Sequence, residues 1–190
     1  MMQMDIEVKF SIYEKMLREW NSRMNLVAPS TLADVRIRHI DDSLQLAEYI
    51  PMNTHVIDLG SGAGFPAVVL AILGYNVTCI ESISKKCAFL NALKSELNLP
   101  NLTIINDRIE NFVKTMRCGK SVVFTARAFA SLEKIFDMTG RVGAPYALLK
   151  GENIDAEITT AREKYKFEDR LHPSKTGPGF IFLSGPVKLI

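Results

Sequence analysis

A glycine-rich segment, VIDLGSGAGFP at residues 56–66, constrains the fold of this chain more than any other feature. Its apolar start is typical of a buried strand, and Gly60, Gly62 and Gly64 permit a tight turn before a helix. Pro66 suits the first turn of that helix. Because glycines let the backbone approach a ligand closely, the segment predicts a strand, a ligand-binding loop and a helix, in this order.

The spacing of the glycines distinguishes between two classes of ligand. A dinucleotide-binding loop has the pattern G-x-G-x-x-G, and here Phe65 stands in place of the third glycine. The pattern D-x-G-x-G-x-G, which begins at Asp58, resembles motif I of the methyltransferases that use S-adenosylmethionine (SAM). Glu81 ends the next apolar run, about 20 residues after Gly60, at the spacing of a ribose-binding carboxylate. The alternative is a simple tight turn, with Glu81 capping the next helix.

The rest of the chain alternates between strand-like and helical patterns, which is typical of a doubly wound α/β fold. Apolar spacing predicts a first helix from about Phe10 to Leu26, and a second that begins at Asp42 and ends before Pro51. Strands are predicted at residues 54–59, 76–80, 102–106, 121–125, 146–149 and 179–183, and helices at 84–97 and 131–140. The turn-rich segment 173–179 indicates an antiparallel hairpin at the sheet edge.

Composition favours one catalytic domain. With 190 residues, 47% of them hydrophobic, the chain can bury a full core, and we expect an N-terminal helical extension at residues 1–52 and a catalytic domain at residues 53–190. No run reaches the ~18 apolar residues of a membrane span and no signal sequence is evident, so a cytoplasmic protein is expected. Cys79, Cys87 and Cys118 lack metal-ligand spacing, and we expect reduced thiols and no metal.

In folds of this class, ligands bind beyond the carboxyl ends of the strands. Ile109 and Glu110 follow the third predicted strand, where an apolar side chain and backbone groups suit an adenine ring; a helix start with an acidic first turn is the alternative. Arg127 follows the fourth strand and is expected to bind a cofactor carboxylate or an RNA phosphate, unless it forms a buried structural ion pair.

Five segments carry a more specific resemblance. They are Trp20-Asn21-x-x-x-Asn25-Leu26, Arg38-His39-Ile40-x-Asp42-Ser43, residues 58–66, Arg127-Ala128-Phe129-Ala130 and Leu149-Lys150-Gly151. Together they resemble the RsmG (GidB) family of SAM-dependent 16S rRNA (guanine-N7) methyltransferases. Many methyltransferases share the glycine loop, whereas R-H-I-x-D-S combined with R-A-F-A is far more specific to this family.

The resemblance implies the class I SAM-dependent methyltransferase (Rossmann-like) fold, a mostly parallel seven-stranded sheet with helices on both faces. It implies SAM as cofactor and methylation of 16S rRNA in the small ribosomal subunit, at guanine 527 of the 530 loop. Cofactor contacts carry over to Gly60, Phe65, Ile109, Glu110 and Arg127. The general logic of the fold adds Asp58, Gly62, Gly64 and Glu81. We expect a monomer without membrane contact.

The net charge of +2 does not by itself indicate a nucleic-acid partner, so RNA binding must depend on local basic groups. The residues expected to take part are Arg38, His39, Arg127 and Lys150. The alternatives are a structural role for His39, a pair between Arg38 and Asp42 one helical turn later, and a strand-end charge at Lys150. Guanine N7 has a free lone pair and no proton, so no catalytic base is predicted.

Two residues depart from the family pattern: Ala67 replaces the usual glycine after Pro66, and Ala126 the usual serine before Arg127. Both changes exchange small residues, so activity is expected to be retained.

Two alternative functions remain: a SAM-dependent methyltransferase acting on a small molecule or protein, and a noncatalytic SAM- or RNA-binding module. A nicotinamide oxidoreductase is disfavoured by Phe65.

Overall fold

A computed structural model describes residues 5–116 and 121–190, so Cys118 lies outside the described residues. The described strands are β1 (His55–Leu59), β2 (Asn76–Glu81), β3 (Leu102–Asn106), β4 (Val122–Arg127), β5 (Tyr146–Lys150), β6 (Tyr165–Lys166), β7 (Asp169–Pro173), β8 (Phe180–Ser184) and β9 (Lys188–Leu189). Seven of them form the main sheet, in the order β3-β2-β1-β4-β5-β8-β7. β1 to β5 are parallel and β8 is antiparallel to both its neighbours, which confirms the predicted sheet and edge hairpin. The sequence did not predict the small sheet of β6 and β9.

Helices cover both faces of the main sheet. They are α1 (Ile6–Asn21), α2 (Asp42–Leu44), α3 (Ala67–Ile72), α4 (Ser84–Glu96), α5 (Ile109–Thr115), α6 (Leu132–Thr139) and α7 (Ile154–Arg162). The alternation of side chains along each strand separates two cores, because Val56 packs with α1, α3 and α4 while its neighbour Ile57 packs with α5, α6 and α7. No helix of the described residues is long and apolar enough to cross a membrane.

Two predicted helix boundaries are wrong. The first helix ends at Asn21, because the Asn21 carboxamide accepts hydrogen bonds from the amides of Leu26 and Val27, both at 2.9 Å, and directs the chain into a turn. Asp42 does not begin the second helix. It lies inside a continuous helical run, with a π-helix at Arg36–Asp41, α2, and a 3-10 helix at Gln45–Glu48, and its carboxylate is used in tertiary contacts.

The N-terminal segment shares the main core. Phe10, Tyr13 and Leu17 of α1 are at most 1% exposed and belong to the same apolar cluster as Val68 of α3 and Leu90 of α4. The helical segment predicted as an extension therefore packs directly behind the glycine-rich loop, and it contributes to the site described next.

Candidate functional site

The glycine-rich loop connects β1 to α3 through three left-handed residues. Gly60, Gly62 and Gly64 have φ values of +67°, +54° and +93°. A Cβ at Gly64 would lie 2.6 Å from the side chain of Val68 and 2.8 Å from the Tyr13 hydroxyl, so packing requires glycine there. A Cβ at Gly62 would meet nothing closer than the Gly60 carbonyl oxygen at 3.7 Å. Gly64 therefore faces the core, and Gly62 faces open space.

Glu81, at the end of β2, holds this loop in place. Its Oε2 accepts a hydrogen bond from the Gly62 amide at 2.9 Å, and its Oε1 accepts one from the Ile83 amide at 2.8 Å. The side chain is buried, yet each carboxylate oxygen retains a further lone pair. Glu81 thus fixes the loop and remains able to accept a hydrogen bond from a ligand hydroxyl.

Asp58 lies behind the loop and is fully buried. Its Oδ1 accepts a hydrogen bond from the Thr125 hydroxyl at 2.9 Å, while Oδ2 has no partner among the described residues. Burial raises the pKa of this carboxyl to about 7; hydrogen bonds from Ser61 and Thr125 oppose the shift, and the nearby charge of Glu81 adds to it. A buried carboxylate oxygen with free lone pairs suits a cationic hydrogen-bond donor.

Three neighbouring cavities lie along the carboxyl edge of the parallel strands. The Glu81 cavity, about 330 Å³, is lined by Glu81, Lys86, Arg108, Ile109, Glu110 and Phe129, among others. The glycine-loop cavity, about 340 Å³, is lined by Val27, His39, Gly60, Gly62, Phe65 and Arg127, among others. The Asp42 cavity, about 190 Å³, is lined by Arg38, Asp42, Arg127, Lys150, Gly177 and Phe180, among others. Ala128 lines all three.

Most predicted cofactor residues line the first two of these cavities, and Gly60 lines both. The Glu81 cavity contains Glu81, Ile109 and Glu110, and the glycine-loop cavity contains Gly62, Phe65 and Arg127. Asp58 and Gly64 support the loop from the core side. The fold thus brings residues from four strand ends together around two neighbouring cavities.

Arg127 connects β4 to the N-terminal segment through three hydrogen bonds. Its Nε donates to Asp42 Oδ2 at 3.0 Å, its Nη2 donates to the Arg38 carbonyl oxygen at 2.7 Å, and its Nη1 lies 2.7 Å from His39 Nδ1. Because a guanidinium group only donates, His39 Nδ1 accepts, and the imidazole is neutral. Burial, together with the charges of Arg127 and Arg38, lowers the pKa of His39 to about 4.

The other predicted RNA-binding residues differ in exposure. Arg38 is exposed, and the alternative of a pair with Asp42 is wrong, because the Asp42 carboxylate binds Arg127, Ser174 and Thr176. His39 is buried, with its Nε2 at 2.8 Å from the Thr31 hydroxyl. The Lys150 side chain is 8% exposed, and its ammonium group contacts Glu157 at 2.6 Å and the Ala130 carbonyl oxygen at 2.7 Å.

Tyr13 is a site residue that the sequence did not reveal. Its hydroxyl donates to the Ala63 carbonyl oxygen at 2.6 Å, and its ring stacks on Phe65 with centroids 5.0 Å apart. His39 stacks on Phe65 as well, at 5.1 Å. Apolar spacing identified Tyr13 as a helix residue, but no local signal indicated that its hydroxyl binds a loop 50 residues away.

Phe129 and the buried cysteines complete the surroundings of the site. The Phe129 ring covers Gly60, where an added Cβ would lie 2.3 Å from the ring. Cys79 and Cys87 are buried free thiols. Within residues 5–116 and 121–190, no group of three or more His, Cys, Asp or Glu side chains is arranged to hold a metal ion.

A family model described as "GidB: rRNA small subunit methyltransferase G" matches residues 6–176. The chain belongs to this family. It is 39% identical over 184 residues to ribosomal RNA small subunit methyltransferase G of Rickettsia prowazekii, covering 94% of this chain and 93% of the relative. It is 40% identical over 175 residues to the protein of the same description from Dinoroseobacter shibae, covering 87% of each. The predicted family is confirmed, and the chain is an rRNA small subunit methyltransferase.

Solved structures confirm the predicted fold of this family member. An O-methyltransferase from Bacillus cereus in complex with SAH has a TM-score of 0.60 and 15% identity, covering 91% of this chain and 90% of that chain. An rRNA methylase from Streptococcus thermophilus has a TM-score of 0.53 and 18% identity, covering 77% of this chain and 94% of that chain. At such low identity the likeness concerns the fold alone.

Proposed function

We propose that this methyltransferase transfers the methyl group of SAM to N7 of a guanine in 16S rRNA, guanine 527 of the 530 loop by family resemblance. The observation that carries the proposal is the glycine-rich loop beside two neighbouring cavities, both lined by Gly60, in a chain of this family. Cavities at the carboxyl ends of strands are where folds of this class bind ligands.

The residues around the loop fit SAM. Glu81 retains lone pairs for ribose hydroxyls, and Ile109 offers an apolar surface beside Glu110 for adenine. On the methionine side, the space at Gly62 admits ligand atoms that a side chain would displace, while Asp58 lies behind the loop and supports it from the core side. When bound, SAM supplies a methyl group on a positively charged sulfur.

The reaction at N7 requires orientation rather than proton transfer. The in-plane lone pair of guanine N7 attacks directly, so this chain's residues hold the base in line, exclude water and accommodate a base that becomes cationic. The departures at Ala67 and Ala126 are compatible with this role. Both side chains are at most 2% exposed and pack in the core, so we expect them to leave activity intact.

The exposed Arg38 is the clearest candidate for an RNA phosphate contact, with Arg127, His39 and Lys150 shaping the surface beside it. We further propose a cytoplasmic monomer that acts on the small ribosomal subunit, since its target is ribosomal RNA.

Methyl transfer to small subunits from a strain that lacks the corresponding modification tests this function. Labelled SAM is used, and the modified nucleoside is identified by mass spectrometry; the variant Gly62→Asp serves as the inactive control. Label in 7-methylguanosine is the expected result. If label that is lost in Gly62→Asp appears only on a small molecule or a protein, the alternative methyltransferase function replaces this one. SAM binding without any methyl transfer would indicate a noncatalytic module.

A further inference from the structure

The Asp42 cavity is separate from the two cavities assigned to the cofactor but opens directly beside them. It shares Arg127 and Ala128 with the glycine-loop cavity. Ala128 has a φ of +49°, a left-handed conformation that is uncommon for a residue with a side chain. Strained backbone of this kind is concentrated at functional sites, and here it belongs to a residue that lines all three cavities.

One wall of the Asp42 cavity is the loop at residues 174–179, which precedes β8. The Asp42 carboxylate Oδ1 accepts hydrogen bonds from the hydroxyls of Thr176 at 2.9 Å and Ser174 at 3.2 Å. The Gln45 carboxamide oxygen accepts a hydrogen bond from the Lys175 amide at 2.7 Å. These bonds fix the loop to the N-terminal segment, so the cavity has defined walls before any substrate binds.

Asp42 gives the cavity a specific chemistry. Its Oδ1 is saturated by Ser174, Thr176 and the Gln45 carboxamide, whereas its Oδ2 accepts one hydrogen bond, from Arg127, and retains a second lone pair. The side chain is 17% exposed, so this oxygen is partly desolvated and still accessible. A carboxylate at this place accepts hydrogen bonds from N–H donors and favours a group that gains positive charge.

We propose that the Asp42 cavity receives the acceptor guanine, turned out of its RNA strand, with Asp42 Oδ2 accepting a hydrogen bond from an N–H group of the base. The proposal rests on the function proposed above. As the N7 lone pair forms the bond to the methyl carbon, the bond from that carbon to sulfur breaks and its electron pair stays on sulfur. No proton moves, and Asp42 stabilises the positive charge on the base. Unstacked bases in loops are the usual targets of sequence-specific RNA recognition.

Two glycines allow the cavity to be filled without disturbing the fold. Gly151 and Gly177 line the cavity, and a Cβ at either meets no atom within 4 Å. Gly185 has equally open surroundings but follows β8 at the opposite end of the sheet. The variants Gly151→Phe and Gly177→Phe therefore test the cavity, with Gly185→Phe as the matched control.

We expect all three variants to keep the wild-type melting temperature and SAM affinity, measured by calorimetry. The kcat/KM for methylation of small subunits falls about a hundredfold in Gly151→Phe and Gly177→Phe, because the base is displaced from its in-line position, and is unchanged in Gly185→Phe. Asp42→Asn, which keeps the shape but not the charge, lowers kcat more than it raises KM.

Wild-type kcat/KM in both cavity variants overturns the assignment of the cavity, even where 7-methylguanosine confirms the proposed function. Loss of SAM affinity in parallel with activity also overturns it, because the cavity then belongs to the cofactor. Label on a nucleoside other than 7-methylguanosine overturns the proposed function and the guanine assignment together. If that label is lost in Gly151→Phe and Gly177→Phe, the cavity still receives an acceptor base.

Discussion

The glycine-rich loop and the Arg127 cluster form two adjoining walls of the glycine-loop cavity, but they are built in different ways. The loop consists of neighbours in sequence, Gly60 to Gly64, held by Glu81 from the next strand. The Arg127 cluster joins Arg38, His39 and Asp42 to an arginine more than 80 residues away. A ligand-binding wall can thus be encoded locally, by backbone conformation, or at long range, by hydrogen bonds between side chains.

The largest expected effect is a loss of SAM affinity when the local wall, the glycine-rich loop, is changed. Gly62→Asp places a side chain and a negative charge in the open space of the loop, and we expect SAM affinity to fall more than a thousandfold, or about 4 kcal/mol. The control is Gly143→Asp, which introduces the same side chain at a left-handed position, φ +70°, with no atom within 4 Å of the added Cβ. Both variants are expected to lose comparable stability from backbone strain. Calorimetry then separates strain from ligand exclusion, and equal SAM affinities would show that the ligand does not occupy the loop.

Asp58 provides a pH-dependent test of the same wall. Its folded pKa is raised to about 7 from an ordinary value of 3.8, so the folded state retains a proton that the unfolded state has released. Stability from this group is fully present below about pH 4 and decreases as the pH rises towards 7. Relative to Asp58→Asn, the wild-type unfolding free energy is expected to drop by about 2 kcal/mol between pH 5 and pH 7. Urea unfolding of both proteins measures this difference, and parallel pH profiles would contradict a buried, proton-binding Asp58.

Sequence patterns identified the local wall and not the long-range one. The spacing of Gly60, Gly62 and Gly64 predicted a turn with positive φ. The alternation of strand-like and helical patterns predicted the parallel strands of the sheet. The partner of Asp42 was not encoded locally. A helical spacing of four residues suggested Arg38, yet the fold brings Arg127 and the 174–179 loop to this carboxylate. Pairings between distant segments depend on the packing of α1 and the strands, which no short motif specifies.

In the long-range wall, the ion pair between Arg127 and Asp42 is expected to have a smaller but measurable coupling free energy. The Arg127 and Asp42 side chains are 21% and 17% exposed, so their 3.0 Å ion pair is partly shielded from water. A double-mutant cycle with Arg127→Ala and Asp42→Ala is expected to give a coupling free energy of about 1.5 kcal/mol. Arg162 and Asp169 form the comparison pair at 2.7 Å, and because Arg162 is 57% exposed we expect a coupling below about 0.5 kcal/mol. Similar couplings in the two cycles would mean that the Arg127 cluster is no more than a surface ion pair.

Tyr13 joins the two walls, because it lies in the N-terminal segment and donates to the loop at the Ala63 carbonyl oxygen. Tyr13→Phe keeps the stacking on Phe65 and leaves a buried carbonyl without this donor, so we expect a loss of about 1 kcal/mol in unfolding free energy. Tyr75→Phe removes a comparable bond, 2.8 Å to the Ile50 carbonyl oxygen, away from the site. If the N-terminal segment positions the loop, the first variant alone weakens SAM binding, by about threefold, at equal cost in stability. Equal SAM affinities would instead mean that Glu81 and the glycines hold the loop unaided, and that the N-terminal segment serves the acceptor side of the site.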